Sequence, residues 1–442
     1  MVDFTYAAEE AASTSNYDHG LAHNVEIKTV RITNHAGEKV DVKEIFIEMN
    51  IFNSIFESNI YGNILLTDTH SILTRLPIIG EETIEIEYNT PGNVTKNFKG
   101  VIYNVRDIIP DGKGAKSSYV LNFCSEEALA NAATYVAKSY RNTLTADEIV
   151  KDVLKTYLQS DKTINVDACM DPAKVLCIPY LRPYDAIEFL QKRVKSKDTE
   201  EDFFLFFERF DGVYFKNFAG IISSPLNKED NYYIYISDKF GNQRDAGLDM
   251  RRILSLKINS KFDTIQKIYE GMLNNESFEY SFDDKYVYSN VTSYKDVNPY
   301  IANEKMNTKD FIEKYSRGEA MGLSGNMTSF KERRVDQNFN FVKPTGKHLI
   351  NKLMLNQISI TITVPGDSTV DVGDIITLKV PEFTSDEGEV KDDPHLSGRY
   401  IIGSVRNIFL SPDKHSMQID LYKDGFNEKI KSMDSKLKDE LL

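Results

Sequence analysis

Apolar and polar residues alternate over much of this chain, the pattern of strands with one buried face. Two stretches carry it in the same order. The later one, Val370 to Tyr422, starts Val372-Gly373-Asp374-Ile375-Ile376-Thr377-Leu378-Lys379-Val380. A polar loop follows, then Ser397-Gly398-Arg399-Tyr400-Ile401-Ile402-Gly403-Ser404-Val405-Arg406, and Met417 to Leu421 close it. The earlier one, Leu76 to Phe123, starts Ile79-Gly80-Glu81-Glu82-Thr83-Ile84-Glu85-Ile86-Glu87-Tyr88. It continues through a polar loop to Phe98-Lys99-Gly100-Val101-Ile102-Tyr103-Asn104-Val105-Arg106 and closes on Tyr119 to Phe123. Each copy predicts a Gly-acid turn, a strand, a loop, a strand ending Val-Arg, a turn and a last strand. The loops differ in length, which a repeat tolerates because closure entropy grows slowly with loop length.

Around the first copy, Val25 to Ile32 and Val40 to Phe52 predict two more strands joined by a turn at Asn34-His35-Ala36-Gly37. Ile45, Ile47, Met49 and Ile51 fall on one face, with Phe46 and Phe52 on the other. Residues 22–124 therefore predict one antiparallel barrel or sandwich. At Ser125 the period changes. Leu129, Ala132, Ala133, Val136 and Tyr140 are spaced as a helical stripe, with Ser125 as N-cap. Thr145-Ala146-Asp147-Glu148 reads as a capping box opening a second helix. Pro183 opens a third, with Ile187, Leu190 and Val194 as its stripe. Phe203 to Phe207, Asp211-Gly212 and Val213 to Phe218 predict a hairpin. Residues 125–250 thus predict an α+β module.

Leu254, Leu256 and Ile258 open a second barrel over 251–264, which resumes over 351–425. Residues 265–350 form an excursion expected to pack with the α+β module, its 300–350 part polar and irregular. Excursions of this length are functional or disordered. The chain is flanked by an acidic, Ala/Ser/Asn-rich arm (1–21) and a charged tail (426–442). The arm is either mobile or ordered on a neighbouring subunit. The tail carries Ile430, Met433 and Leu437 as a narrow stripe, fitting a surface helix or one docking on a partner. The fold class expected is α+β, β-rich: two related tube-like antiparallel β-barrels with an α+β module between and around them.

Composition narrows the function. The chain has 442 residues and a formal charge of −14, against the basic balance of a dedicated nucleic-acid binder. No apolar run reaches the roughly 20 residues of a membrane helix, and the first residues lack the form of a secretory signal. Cys124, Cys169 and Cys177 have no metal-site spacing. Asp111-Gly112-Lys113-Gly114-Ala115-Lys116-Ser117 lacks phosphate-loop spacing and lies between two strands, so it reads as a hairpin turn. His19 and His23 have no third ligand nearby, and no Ser elbow is present. Arg333 and Arg334 are a basic doublet in the excursion, either solvated or an anion or partner site. The expectation is no enzyme, cofactor or metal.

Several of these stretches together resemble a known family. Ile51 to Asp68, Leu76-Pro77-Ile78-Ile79-Gly80-Glu81-Glu82, Phe123 to Tyr140 with the capping-box helix, Arg182-Pro183-Tyr184-Asp185-Ala186-Ile187, the Phe203 hairpin, and Ser397 to Tyr422 look like central baseplate hub proteins of T-even-like contractile-tailed bacteriophages. The resemblance covers roughly residues 22–425. It implies a homotrimer at the end of the tail tube. Three chains with two barrels each would present a pseudo-six-fold ring to the tube and a three-fold face to a spike.

It also implies partners: a tail tube or tube-initiator protein, the tape-measure protein, other baseplate proteins, and a separate spike protein. Only 17 residues follow Gly425, too few for a fused spike. DNA would pass through the channel without being specifically bound, in a virion component assembled in the host cytoplasm. Glu85, Glu87, Thr377 and Lys379 are candidates for the lumen wall, where acidic residues would repel DNA. Arg333, Arg334, Ile430, Met433 and Leu437 are candidate partner contacts. The hub of a non-viral contractile injection system fits the same features. A carbohydrate-binding β protein and a cell-wall hydrolase are the readings from other classes.

Overall fold

The computed structural model describes residues 24–426 apart from 77, 81, 91–93, 111–115, 142–143, 171–174, 200–201, 225–231, 235–250, 261–262, 282–284, 303–327, 333–341, 382–391 and 412. The protein is β-rich, and its largest element is one sheet of thirteen strands among the described residues.

The first half of this sheet contains β1 (Glu26–Thr33), β2 (Lys39–Asp41), β3 (Phe46–Ser54), β4 (Tyr61–Asp68), β5 (Thr83–Asn89), β6 (Thr95–Pro110) and β7 (Ser117–Ser125). They run β3-β4-β7-β6-β5-β1-β2 and curl around one core of Met49, Ile51, Ile64, Ile84, Ile86, Leu121 and Phe123. The alternation on β5 is the expected one: Ile84, Ile86 and Tyr88 point in. On β3 it is broken. Phe46 pairs with Leu66 but Glu48 with Leu65, so the strand holds one extra residue. That bulge turns Ile47 out to 47% exposure and puts Phe46 in the core with Met49 and Ile51, correcting the expected face. At Gly62 an added Cβ would meet the Asn50 carbonyl and the Phe123 ring. Glycine is what lets β4 lie there.

The second half contains β14 (Ser255–Ser260), β18 (Ile358–Pro365), β19 (Ile375–Lys379), β20 (Gly398–Leu410) and β21 (Lys414–Lys423). Their order is β14-β18-β21-β20-β19, the same as β3-β4-β7-β6-β5. The repeat thus takes in two more strands than the alternation alone showed. Both copies carry a bulge at the same place, between Ile102 and Asn104 and between Ile402 and Ser404. A short strand, β13 (Tyr232–Ile234), adds parallel to β19.

Between the halves sits the α+β part. Helix α1 (Glu126–Ala133) ends before Val136, and Val136 and Tyr140 belong to a strand, β8 (Val136–Arg141), paired with β10 (Val175–Leu181). This corrects the expected helical stripe, whose Leu129 is half exposed. Helix α2 (Ala146–Asp152) has its capping box, the Thr145 N–H donating to Glu148 Oε2 at 2.9 Å. It continues as a π-turn over Val153–Tyr157. Helix α3 (Pro183–Gln191) starts on its proline. The hairpin is β11 (Phe204–Arg209) and β12 (Gly212–Asn217), with β9 (Ile164–Val166) parallel to β12.

The apolar run at β11 has two masters. Phe204 and Phe206 fill the α+β core, while Phe203, Leu205 and Phe207 enter the core of the second barrel-like half. A strand buried on both faces needs such a continuous run. The excursion forms β15 (Asn274–Ser281), β16 (Tyr286–Ser293) and β17 (Thr328–Glu332), then helix α4 (Val342–Leu355). That helix corrects the expectation of irregular chain up to 350. Ile350, Met354 and Leu355 are its buried face. The excursion is tied back by Asp424, whose carboxylate accepts the N–H groups of Ile301 at 3.0 Å and Ala302 at 2.8 Å.

The cysteines differ sharply in environment. Burial, then nearby Glu208, pushes the Cys124 thiol up to about 11. Burial, then Asp147, pushes Cys169 up to about 12, while Cys177 is exposed. Thiolate is the reactive form. A maleimide at pH 7.5 is therefore expected to label Cys177 alone in the native protein, read by peptide mass. Equal labelling of Cys169 would contradict this packing.

Candidate functional site

The two halves meet along one strand pair. β20 pairs with β3 antiparallel, from Ser404 opposite Ser54 to Leu410 opposite Glu48. This makes a continuous path of eight strands, β14-β18-β21-β20-β3-β4-β7-β6. Phe409 of β20 crosses the seam into the first core, where it packs on Tyr88 at 4.7 Å between ring centres.

One face of the path lies on the two cores, and the other carries polar side chains in register. Asn50, Asn63, Asn122 and Asn104 are direct neighbours on β3, β4, β7 and β6. Asn50 Nδ2 donates to Asn63 Oδ1 at 3.1 Å. Arg406 Nε donates to Asn50 Oδ1 at 2.9 Å, across the seam. In the second half, Thr361 Oγ1 donates to Asp420 Oδ1 and Asn259 Nδ2 to Thr361 Oγ1, both at 2.6 Å. Ser255 donates to Thr363 at 2.9 Å. Cross-strand pairs of this kind stabilise a sheet by a few tenths to ~1 kcal/mol each. The result is a face rich in amides and hydroxyls that also carries Arg406, Asp420 and Glu48, the last 3.7 Å from Arg406.

Behind the seam lies a buried ion network joining all three parts. Arg209 of β11 donates to Asp374 Oδ1 at 2.9 Å. Lys96 of β6 reaches Asp371 at 3.2 Å, and Asn53 of β3 donates to the same carboxylate at 2.6 Å. Burial alone would raise Asp371, but Lys96 and Arg209 outweigh it and hold it below the usual carboxylate range. Burial pushes Asp374 up. A second cluster ties the first half to the α+β part: Lys162 lies 2.6 Å from both Glu127 and Glu208, and Ser125 donates to Glu208 at 2.7 Å. Ser125 therefore spends its hydroxyl on Glu208 rather than on capping α1.

Glu85 and Glu87 lie on the outward face of β5, each about 40% exposed, paired with Arg31 at 3.5 Å and Lys28 at 3.1 Å. They line a groove of about 470 Å³ with Lys99, Lys162, Glu208 and Arg209. Thr377 and Lys379 take the corresponding outward positions on β19, beside β13. These four are on β5 and β19, which are not among the eight strands of that path. Arg333, Arg334, Ile430, Met433 and Leu437 lie outside the described residues, as do His19 and His23. Among the described residues no group of three His, Cys, Asp or Glu is placed to hold a metal, and no helix is long and apolar enough to cross a membrane.

The network and the asparagine row were missed by sequence reasoning. Asp371 and Asp374 were visible only as part of a Gly-acid turn. The one available signal for the wall was asparagine, a poor strand former, recurring inside alternating strands.

No family model matches the chain, and no curated protein matches it. Solved structures do. A tail protein from Neisseria meningitidis MC58 is 12% identical with a TM-score of 0.55, over 92% of this chain and 98% of that one. The 43 kDa tail protein of prophage MuSo2 from Shewanella oneidensis is 9% identical with a TM-score of 0.51, over 91% of this chain and all of that one. The chain shares its fold with these two tail proteins.

Proposed function

We propose that this protein is a structural hub of a contractile tail, acting by geometry rather than catalysis. The observation that carries the reading is the pair of equivalent β modules, joined by β20 and β3 so that one sheet runs unbroken over both. Three such chains give six near-equivalent modules around a three-fold axis. That is what an adaptor between a six-fold tail tube and a separate three-fold spike requires. The fold likeness to two tail proteins, one of them from a prophage, supports it.

In this reading the channel wall is the amide- and hydroxyl-rich face of the eight strands. It takes the place of Glu85, Glu87, Thr377 and Lys379, which the same reading puts toward the α+β part and the outside. Tape-measure protein and DNA would pass the wall without specific binding. The excursion, the doublet Arg333 and Arg334, and the tail residues Ile430, Met433 and Leu437 are left to contact the spike or other baseplate proteins.

Light scattering of the purified chain is expected to give about three times the 50.5 kDa chain mass, with rings in micrographs. A chain that stays at a single chain's mass, alone and when co-expressed with its spike protein, would refute the hub.

A further inference from the structure

The internal repeat assigns a partner to two bare strand edges. β3 and β14 are equivalent, as are β20 and β6. Inside one chain, β3 covers the second edge of β20. Among the described residues the counterparts have no such cover. There β14 pairs only with β18, and β6 beyond Ile102 pairs only with β7. These edges are also unusually apolar at the surface. Tyr103, Ile108 and Ile109 are 52%, 56% and 67% exposed on β6, and Leu254 and Ile258 are 46% and 39% exposed at β14. A bare edge presents unpaired N–H and C=O groups and templates pairing with another chain.

We propose that β14 of one copy pairs antiparallel with β6 of the next, repeating between copies the β3–β20 seam made within one. This rests on the ring reading above and names the surface that closes it. The contact is head-to-tail, since the two edges differ, and such contacts close into rings when the rotation allows.

The repeat also sets the register. The shared bulge equates Val105-Arg106 with Val405-Arg406. A second bulge in β6, between Arg106 and Ile109 with Asp107 in the left-handed region (φ 55°), adds one residue. Ile109, opposite Ser118, therefore stands where Ile408 stands opposite Ser416. Ile408 faces Asn50 across the internal seam. The equivalent of Asn50, two strands from Asp420 as Asn50 is from Asn122, is Lys257. Ile109 of one copy is thus expected opposite Lys257 of the second copy. Lysine there would keep isolated edges from pairing without order, while leaving the strand free to pair in register.

Directly opposed residues of an antiparallel pair have Cα atoms ~4.5–5.5 Å apart, within disulfide range. The test uses a Cys177→Ser background. Chains carrying Ile109→Cys are mixed with chains carrying Lys257→Cys and oxidised, with light scattering on the same sample. Both positions are exposed, so folding is not at stake. The expected product is a covalent dimer formed only in the mixture. Glu44→Cys, exposed on the first module away from the seam, replaces Ile109→Cys in the control and is expected to give none. A trimer by mass without the cross-link would overturn this seam and leave the ring standing. A monomer without it would overturn both. A cross-link to some other protein and none between copies would give these edges to a different partner and overturn the proposal.

Discussion

Arg209→Ala is expected to cost about 3–5 kcal/mol, the penalty for breaking a buried ion pair by removing one side. Arg209 is 11% exposed, and the carboxylates it faces, Asp374 and Asp371, are 5% and 3% exposed. In the intact protein Lys96 and Arg209 hold Asp371 below its ordinary pKa despite burial. The charged form of Asp371 therefore stabilises the fold above the unfolded value of about 3.9. That contribution is lost as pH falls through the lower folded value. Without Arg209, burial acts on both carboxyls with less opposition and their folded pKa values rise. The variant should then lose most stability near neutral pH and recover part of it on mild acidification, as the stranded groups take up protons. Urea unfolding at pH 7 and pH 5 measures this. A gap between variant and parent that failed to narrow at pH 5 would show that the network is not held by charge.

Phe203→Ala is expected to cost about 3–5 kcal/mol, from lost burial and the cavity left behind. The ring is fully buried where three parts of the molecule meet. It packs on Phe218 at 5.0 Å, Tyr300 at 6.3 Å and His348 at 5.3 Å between centres. Burial, followed by Lys352 and Lys192, pushes His348 down to about 3, so its ring is neutral at working pH. Opening a cavity beside it should admit water and move that pKa up toward the ordinary value near 6.5. An NMR titration of His348 separates this from a general loss of stability. If stability falls while the histidine stays where it was, the site has collapsed rather than hydrated.

The repeated strand core was legible because one face of each strand is buried, which forces period 2 onto the sequence. Its limits have local causes. Residues four apart share a face in both a helix and a strand, so Val136 and Tyr140 suited either, and pairing with β10 decided it. Ile47 followed the alternation and was turned out by one inserted residue, which no periodicity encodes. The first turns of α4 hold Pro344 and Gly346 among polar residues, hiding the apolar stripe that follows. The polar wall was the least legible part. An asparagine on one strand gives no sign of which residue lies beside it on the next, and that register is set by pairs distant in sequence. The ion network was hidden for the same reason: Lys96, Arg209 and Asp371 belong to three different segments.

The seam between the two halves also has a consequence for synthesis. Ser54 of β3 and its partner Ser404 are 350 residues apart. At ~5–20 residues per second, the edge of β3 waits roughly 20–70 s on the ribosome before β20 emerges. The first half can bury its own core well before then, but its seam edge stays open to solvent, as does the apolar face of β11 destined for the second core. Slow growth of the nascent chain therefore lengthens the interval in which two unfinished copies can pair wrongly with each other.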